Sequence, residues 1–361
     1  MKKTNSLATV RQRLREQVAW GFYTNLTRKI LIFMGRPFGV RPTNAFFIEG
    51  SALILILAGI AWAALILFVF EPGRQALDDF LIFLPLMLII YLGVVGTQKY
   101  WQMTTSVISN HLLNAMSAEE DFQDLESWLK SWTNRRAELV WSILFAIVFD
   151  AYFIVTAILT GETPPRIPVI IAFLPMIIQT GLLFYEFARA INMPSRIKRY
   201  QIKLYQADPA SSEIIARFAG LFTSFIFLIT MIASVVTLLL AVFNPLFITG
   251  SIFVITLGWL PLILAFVVSQ SALRHIIQYG KQKALTEIQA KIEKLQSRKE
   301  IPDTETLNHI RALMDYHDYV KSRRDSTFDV QTGLNFLNSL LFPVIGFLLG
   351  NLKELLTFFP K

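Results

Sequence analysis

Six long apolar runs dominate the chain, and turn-forming or charged residues separate each run from the next. They lie at 48–70, 77–96, 138–160, 167–190, 214–243 and 247–273. Each run has at least the roughly 20 residues that a helix needs to cross a hydrocarbon layer about 30 Å thick. Because lipid offers no hydrogen bonds to an exposed backbone, such runs are expected to be helical. The pattern therefore predicts an all-α polytopic membrane helix bundle with six transmembrane helices.

The connectors between the runs alternate in length. Short, turn-rich connectors at 71–73, 161–165 and 244–245 join the first run to the second, the third to the fourth, and the fifth to the sixth. Helices joined so closely are expected to pack as antiparallel hairpins. Longer polar loops at 97–137 and 191–213 join the hairpins to each other. The predicted bundle of residues 46–273 is therefore made of three hairpins.

Basic residues are divided unevenly between the two kinds of connector. The N-terminal region, the long loops and the tail hold 30 Lys and Arg residues. The hairpin side has 2, Arg74 and Arg166, each directly after a short connector. Lys and Arg accumulate in cytoplasmic loops near the ends of membrane helices. We therefore expect both termini in the cytoplasm, and a multi-pass protein of a bacterial inner (plasma) membrane.

Composition narrows the class further. Of 361 residues 54% are hydrophobic and 17% are charged, which departs from the balance of a soluble domain. The formal net charge of +8 is read as contact with anionic lipid rather than with nucleic acid. Because the chain has no Cys, disulfides, thiolate zinc sites and iron–sulfur clusters are excluded. No nucleotide-binding, metalloprotease or hydrolase motif is present, so we expect no cofactor, and an enzyme is the least favoured class.

Polar segments outside the bundle carry amphipathic helical patterns. Residues 1–45 form a basic amphipathic pattern, which either lies on anionic lipid headgroups or packs on the protein's own cytoplasmic face. The acidic stretch 119–126 predicts a helix whose carboxylates face solvent rather than a cation site.

The C-terminal part of the chain contains two further predicted elements. Residues 274–329 predict a cytoplasmic helical hairpin, with Asp303 as the N-cap of its second helix. The first of these helices carries a short coiled-coil seam, which pairs either within the chain or between subunits of a homo-oligomer: Leu285, Ile288, Ile292 and Leu295. Residues 330–361 form a hydrophobic or amphipathic segment. We expect it to be re-entrant or packed on the bundle rather than to form a seventh span.

One predicted polar cluster lies inside the membrane. Asp150 stands about 18 Å along the third run, close to the bilayer midplane, where an ionisable group is costly and must face a partner or water. Tyr152, Gln179 and Thr180 are expected at a similar depth. Together they form either a proton or cation relay, or interhelical hydrogen bonds that hold the bundle together.

A second set of charged residues lies near the cytoplasmic ends of the fourth and fifth runs. Glu186, Arg189 and Arg217 are expected to form an ion-pair clamp there. Such a pair either closes a pathway or only clamps two helices, and the clamp is preferred. The Asp150 cluster favours a channel or transport-type protein with a polar site near Asp150. The alternative is a non-catalytic membrane scaffold or sensor that binds partners through its cytoplasmic helices.

Overall fold

A computed structural model describes most of the chain, in six stretches: residues 44–70, 73–132, 134–160, 166–243, 248–297 and 303–326. Within these stretches the chain is helical and forms no strand, only an isolated bridge between Met116 and Ile202. The predicted all-α class is therefore confirmed. The predicted helix of the N-terminal region, up to residue 43, and the C-terminal segment 330–361 lie outside the described residues.

Eight helices of at least 14 residues carry the described fold. They are α1 (Asn44–Phe70), α2 (Arg74–Val107), α3 (Glu119–Trp132), α4 (Arg135–Thr160), α5 (Ile167–Ile197), α6 (Glu213–Phe243), α7 (Ile248–Gln296) and α8 (Thr304–Ser322). The helical path of α2 continues through a π-helical turn at Ile108–Leu112. Several helices thus run beyond the predicted spans, because the helical backbone continues into polar sequence once the apolar run ends.

Three of the described helices are long and apolar enough to cross a membrane. They are Ile167–Ile197 of α5, Glu213–Val235 of α6 and Leu260–Gln296 of α7. A shorter apolar stretch, Ile56–Phe70, belongs to α1. The outer face of α4 is also apolar, since Ile143, Ile147, Val148, Val155 and Ile158 are all more than 40% exposed. A surface of that kind is suited to lipid rather than to water.

The helices pack in the pairs that the connectors predict: α1 with α2, α4 with α5, and α6 with α7. In the α4–α5 pair, Gly181 lies against Ser142, and a Cβ at Gly181 would be 3.1 Å from the Ser142 backbone. The Phe145 and Phe184 rings stack beside it, with centroids 5.1 Å apart. A small residue at a membrane helix crossing allows this close approach.

Helix α5 lies at the centre of the bundle, because it packs against α1, α2, α4 and α7. Pro175 within α5 has no N–H group and leaves the carbonyl of Ile171, four residues earlier, without its helical donor. The indole Nε1 of Trp62 in α1 donates to that carbonyl at 2.9 Å. The proline therefore creates an acceptor in α5 that a neighbouring helix satisfies.

Helix α3 packs at the polar end of the bundle, against the residues that follow α5. Asp121 accepts a hydrogen bond from the backbone N–H of Gln201 at 2.8 Å. Asp124 accepts one from the Tyr200 hydroxyl at 3.0 Å and lies 3.5 Å from Arg196. Two of the acidic side chains expected to face solvent thus hold α3 to the chain. Burial and the bond to Asp124 raise the pKa of Tyr200 well above its usual range.

Helices α7 and α8 form the antiparallel hairpin that the tail predicts. Asp303 caps α8 as predicted, since its carboxylate accepts a hydrogen bond from the Thr306 N–H at 2.8 Å. The core between the two helices is apolar and contains three of the four seam residues: Ala284, Leu285, Ile288, Ile292, Leu313, Tyr316 and Val320. Lys281 closes the open end by donating to Asp325 at 2.6 Å and to the Arg323 carbonyl at 2.7 Å. The seam therefore packs within the chain.

Candidate membrane-embedded polar site

The four residues of the predicted Asp150 cluster lie in different surroundings. Asp150 is half-buried on α4 and has no hydrogen-bond or ion-pair partner among the described residues. Thr180 donates to the Met176 carbonyl of its own helix at 3.0 Å. Tyr152 is half-buried on α4, and Gln179 is only 7% exposed on α5. Within the described residues no hydrogen bond joins Asp150 to the other three, so the relay stays a prediction.

Gln179 points to the other side of α5 from α4. It lies two residues, or about 200° around the helix, from Gly181, which contacts α4. Its side chain lines a cavity of about 320 Å³ between α1, α2 and α5, together with Trp62, Met87 and Pro175. The polar groups expected at one depth are thus separated by the thickness of α5.

The second predicted set is assembled in part. Arg189 Nη1 lies 3.2 Å from Glu186 Oε1, and the two side chains are 13% and 12% exposed. Arg217 instead pairs with Glu213 of its own helix at 3.4 Å, where both side chains are mostly exposed. The structure therefore brings together Glu186 and Arg189, and places Arg217 in a separate surface pair.

Arg189 has two further contacts that hold it in place. Its Nη2 donates to the Ser131 carbonyl near the end of α3 at 3.2 Å. Its guanidinium carbon lies 4.8 Å from the centroid of the Tyr185 ring. A buried cation is tolerated only when such partners replace its lost water. Arg189 therefore joins α5 to α3 as well as neutralising Glu186.

Three residues that the sequence reasoning missed, Trp101, Glu138 and Tyr185, complete this group. Trp101 of α2 neighbours the Glu186 carboxylate. Glu138, in the first turn of α4 and 3% exposed, lies within electrostatic range of Tyr185, as Glu186 does. We name these five residues, Trp101, Glu138, Tyr185, Glu186 and Arg189, the Glu186 cluster. Glu138 begins an apolar run, and that position alone does not reveal that its side chain turns inward.

The Glu186 cluster thus holds two buried carboxylates and one guanidinium where α2, α4 and α5 meet. In the described parts of the chain no group of three or more acidic or histidine side chains is arranged to hold a metal ion. The carboxylates of this cluster can accept and release protons.

In comparisons with known protein families, curated proteins and solved structures, nothing matches this chain. The class of the protein therefore follows from its own fold and surface. An all-helical chain with three helices long and apolar enough to cross a membrane indicates a membrane protein.

Proposed function

We propose that the chain is a six-span membrane protein of channel or transport type, and that the Glu186 cluster closes the cytoplasmic end of its polar path. In this arrangement the three hairpins span the membrane, and both termini, the long loops and the α7–α8 hairpin are cytoplasmic. The division of 30 basic residues against 2 supports this orientation.

The observation that carries the proposal is the burial of the ionisable side chains of the Glu186 cluster. Glu186 is paired with Arg189, and a second buried carboxylate, Glu138, lies within electrostatic range of the adjoining Tyr185 ring. Protonation of Glu186 would therefore release the pair, and deprotonation would form it again. Ionisable groups at membrane depth are costly and most often serve ion or proton pathways. Arg189 already has a second anchor at the Ser131 carbonyl, which holds it when Glu186 is protonated.

Two further buried polar groups support a hydrated path. The Thr97 hydroxyl of α2 and the Gln270 amide oxygen of α7 are buried and have no hydrogen-bond partner among the described residues. Water in a path through the bundle satisfies such groups. Asp150, deeper in α4 and without a partner there, is proposed as a second station for the same ion or proton.

The proposal is tested by flux into liposomes that contain the full chain. Proton flux is read with an entrapped pH-sensitive dye under a potassium diffusion potential, for the wild type and for Glu186→Gln. Neutralising Glu186 frees Arg189, and we expect proton flux to change at least tenfold. Glu213→Gln, which removes the carboxylate of an exposed ion pair, is the matched control and should leave flux unchanged.

Flux equal to that of protein-free liposomes for both the wild type and Glu186→Gln, with potassium as well as protons, contradicts the proposal. In that case the cluster is a structural clamp between helices.

A second function, a scaffold or sensor that binds through its cytoplasmic helices, rests on the outer face of α8. Leu307 and Met314, seven residues and about two turns apart, are 53% and 54% exposed on that face. Apolar side chains at this spacing form a stripe that a partner helix covers. If Leu307→Asp with Met314→Asp leaves flux intact but abolishes self-association, measured by the mass of the detergent-solubilised protein, the scaffold function is supported.

A further inference from the structure

We infer that the cavity between α1, α2 and α5 is a binding site for a small, planar aromatic molecule that carries one carbonyl or hydroxyl group and is dissolved in the bilayer. The inference rests on the membrane placement of these helices and does not depend on transport. It assigns a role to Gln179, which the Glu186 cluster leaves unused.

The first argument is the state of the Gln179 side chain. It is 7% exposed and lines the cavity, and its amide has no hydrogen-bond partner among the described residues. The amide is not among the fully enclosed polar groups without a partner, so it is open to the cavity, where a bound molecule can satisfy it. Because an amide both donates and accepts, it can bond to a carbonyl or to a hydroxyl.

The second argument is the chemistry of the remaining wall. The other lining residues are apolar apart from Trp62. The indole N–H of Trp62 already donates a hydrogen bond to the Ile171 carbonyl. Gln179 is therefore the single free polar contact that the described lining offers. One polar contact in an apolar pocket selects a molecule with one polar group.

The third argument concerns shape. The indole of Trp62 and the thioether of Met87 stand in the wall, and both make favourable contacts with aromatic rings. The volume of about 320 Å³ is at the small end of ligand pockets, which suits one or two rings. A lipid acyl chain fits less well, because it has no group to satisfy Gln179 at this depth.

The fourth argument is access. Trp62 is 40% exposed and Leu174 is 37% exposed, so the rim of the cavity lies on the outer surface of the bundle. Gln179 lies about 16 Å from the end of its predicted span, close to the bilayer midplane. A ligand therefore reaches the site from the lipid, not from the aqueous phase.

Benzophenone is a suitable probe, because it is an aromatic ketone that partitions into lipid and forms a carbon–carbon bond with nearby C–H groups under ultraviolet light. The full chain in liposomes is labelled over a range of benzophenone concentrations, and labelled peptides are mapped by mass spectrometry. We expect saturable labelling at Met87 and in the two facing segments, 58–62 and 174–179.

Two variants separate specific binding from partition into lipid. Gln179→Leu keeps the cavity apolar but removes the hydrogen bond, and should raise the half-saturating concentration about fivefold, the effect of a net hydrogen bond of about 1 kcal/mol. Thr180→Val is the matched control, since the Thr180 hydroxyl bonds within its own helix. Ala58→Leu, which adds a side chain to the lining, should reduce labelling without removing Gln179.

Labelling that rises linearly with concentration and falls equally on the outer face of α4, at Val148 and Val155, overturns the inference. So does saturable labelling that Gln179→Leu and Ala58→Leu both leave unchanged. Neither result bears on proton flux, so this test and that of the transport proposal fail separately.

Discussion

Helix α5 carries two buried polar side chains on the same face, and their surroundings differ: one faces a cavity and the other is paired with a charged residue. Gln179 and Glu186 are seven residues apart, which places them about two turns and 10 Å from each other along one side of the helix. Gln179 is neutral and faces a cavity with no partner among the described residues. Glu186 is bonded to Arg189 and neighbours Trp101.

The difference follows from the cost of burial. A neutral amide loses a few kcal/mol at most when it is buried unpaired, and an adjoining space can remain to be filled. Burial of a charged carboxylate costs far more free energy, so its surroundings must supply a counter-charge. One face of α5 therefore borders an apolar cavity at Gln179 and, two turns further on, carries a buried ion pair at Glu186.

The largest expected effect on stability comes from removing the cation of the Glu186 cluster, Arg189. Arg189→Ala leaves the buried Glu186 carboxylate without its counter-charge, and should destabilise the protein by about 3–5 kcal/mol. The measurement is unfolding of the detergent-solubilised chain. Arg217→Ala is the control: its pair with Glu213 is exposed, and the loss should stay below about 1 kcal/mol. Equal losses for both variants mean that the Glu186 cluster is hydrated in solution.

An intermediate effect is expected on the opposite face of α5, where no space remains. A Cβ at Gly181 meets the Ser142 backbone, which cannot move aside as a side chain can, so Gly181→Ala should cost about 1–3 kcal/mol. Gly220→Ala in α6 adds the same methyl group where nothing lies within 4 Å, and should have no comparable cost. Both are compared by thermal unfolding, and a stable Gly181→Ala protein shows that α4 and α5 separate readily.

The smallest effect concerns the cavity wall. Trp62→Phe leaves the Ile171 carbonyl without a donor, at a cost of about 1–2 kcal/mol. In a Pro175→Ala background the helix supplies its own N–H to that carbonyl, so the same Trp62→Phe change should cost much less. The double-mutant cycle measures this difference in unfolding free energy. A cost that persists unchanged in the Pro175→Ala protein shows that Trp62 acts through packing alone.

The helices could be predicted from the sequence more readily than the candidate sites could. Apolar runs and short connectors predict the class of fold and the pairing of neighbouring helices, because both depend on local sequence. The N-cap at Asp303 follows from local chemistry as well, and the structure confirms it.

The arrangement of side chains between distant helices was harder to anticipate. Depth along a helix placed Asp150 and Gln179 at one level, but depth does not give the direction in which a side chain points. Gln179 and Asp150 are therefore found on opposite sides of α5, while Glu138 joins Tyr185 from an adjacent helix. The spacing of Glu186 and Arg189, one turn apart, was the one local signal for the buried pair.

Helix α7 gives the protein a mechanical property of its own. It runs from Ile248 to Gln296, 49 residues or about 74 Å, and so continues far past the thickness of a bilayer. After Pro261 it contains no further proline, and Lys281 fastens it to the residues that follow α8. Long helices curve gently and kink sharply mainly at proline or at bulges, so we expect the proline-free part beyond Pro261 to carry a tilt of the apolar end to α8. The helix is one continuous connection between the apolar bundle and the α7–α8 hairpin.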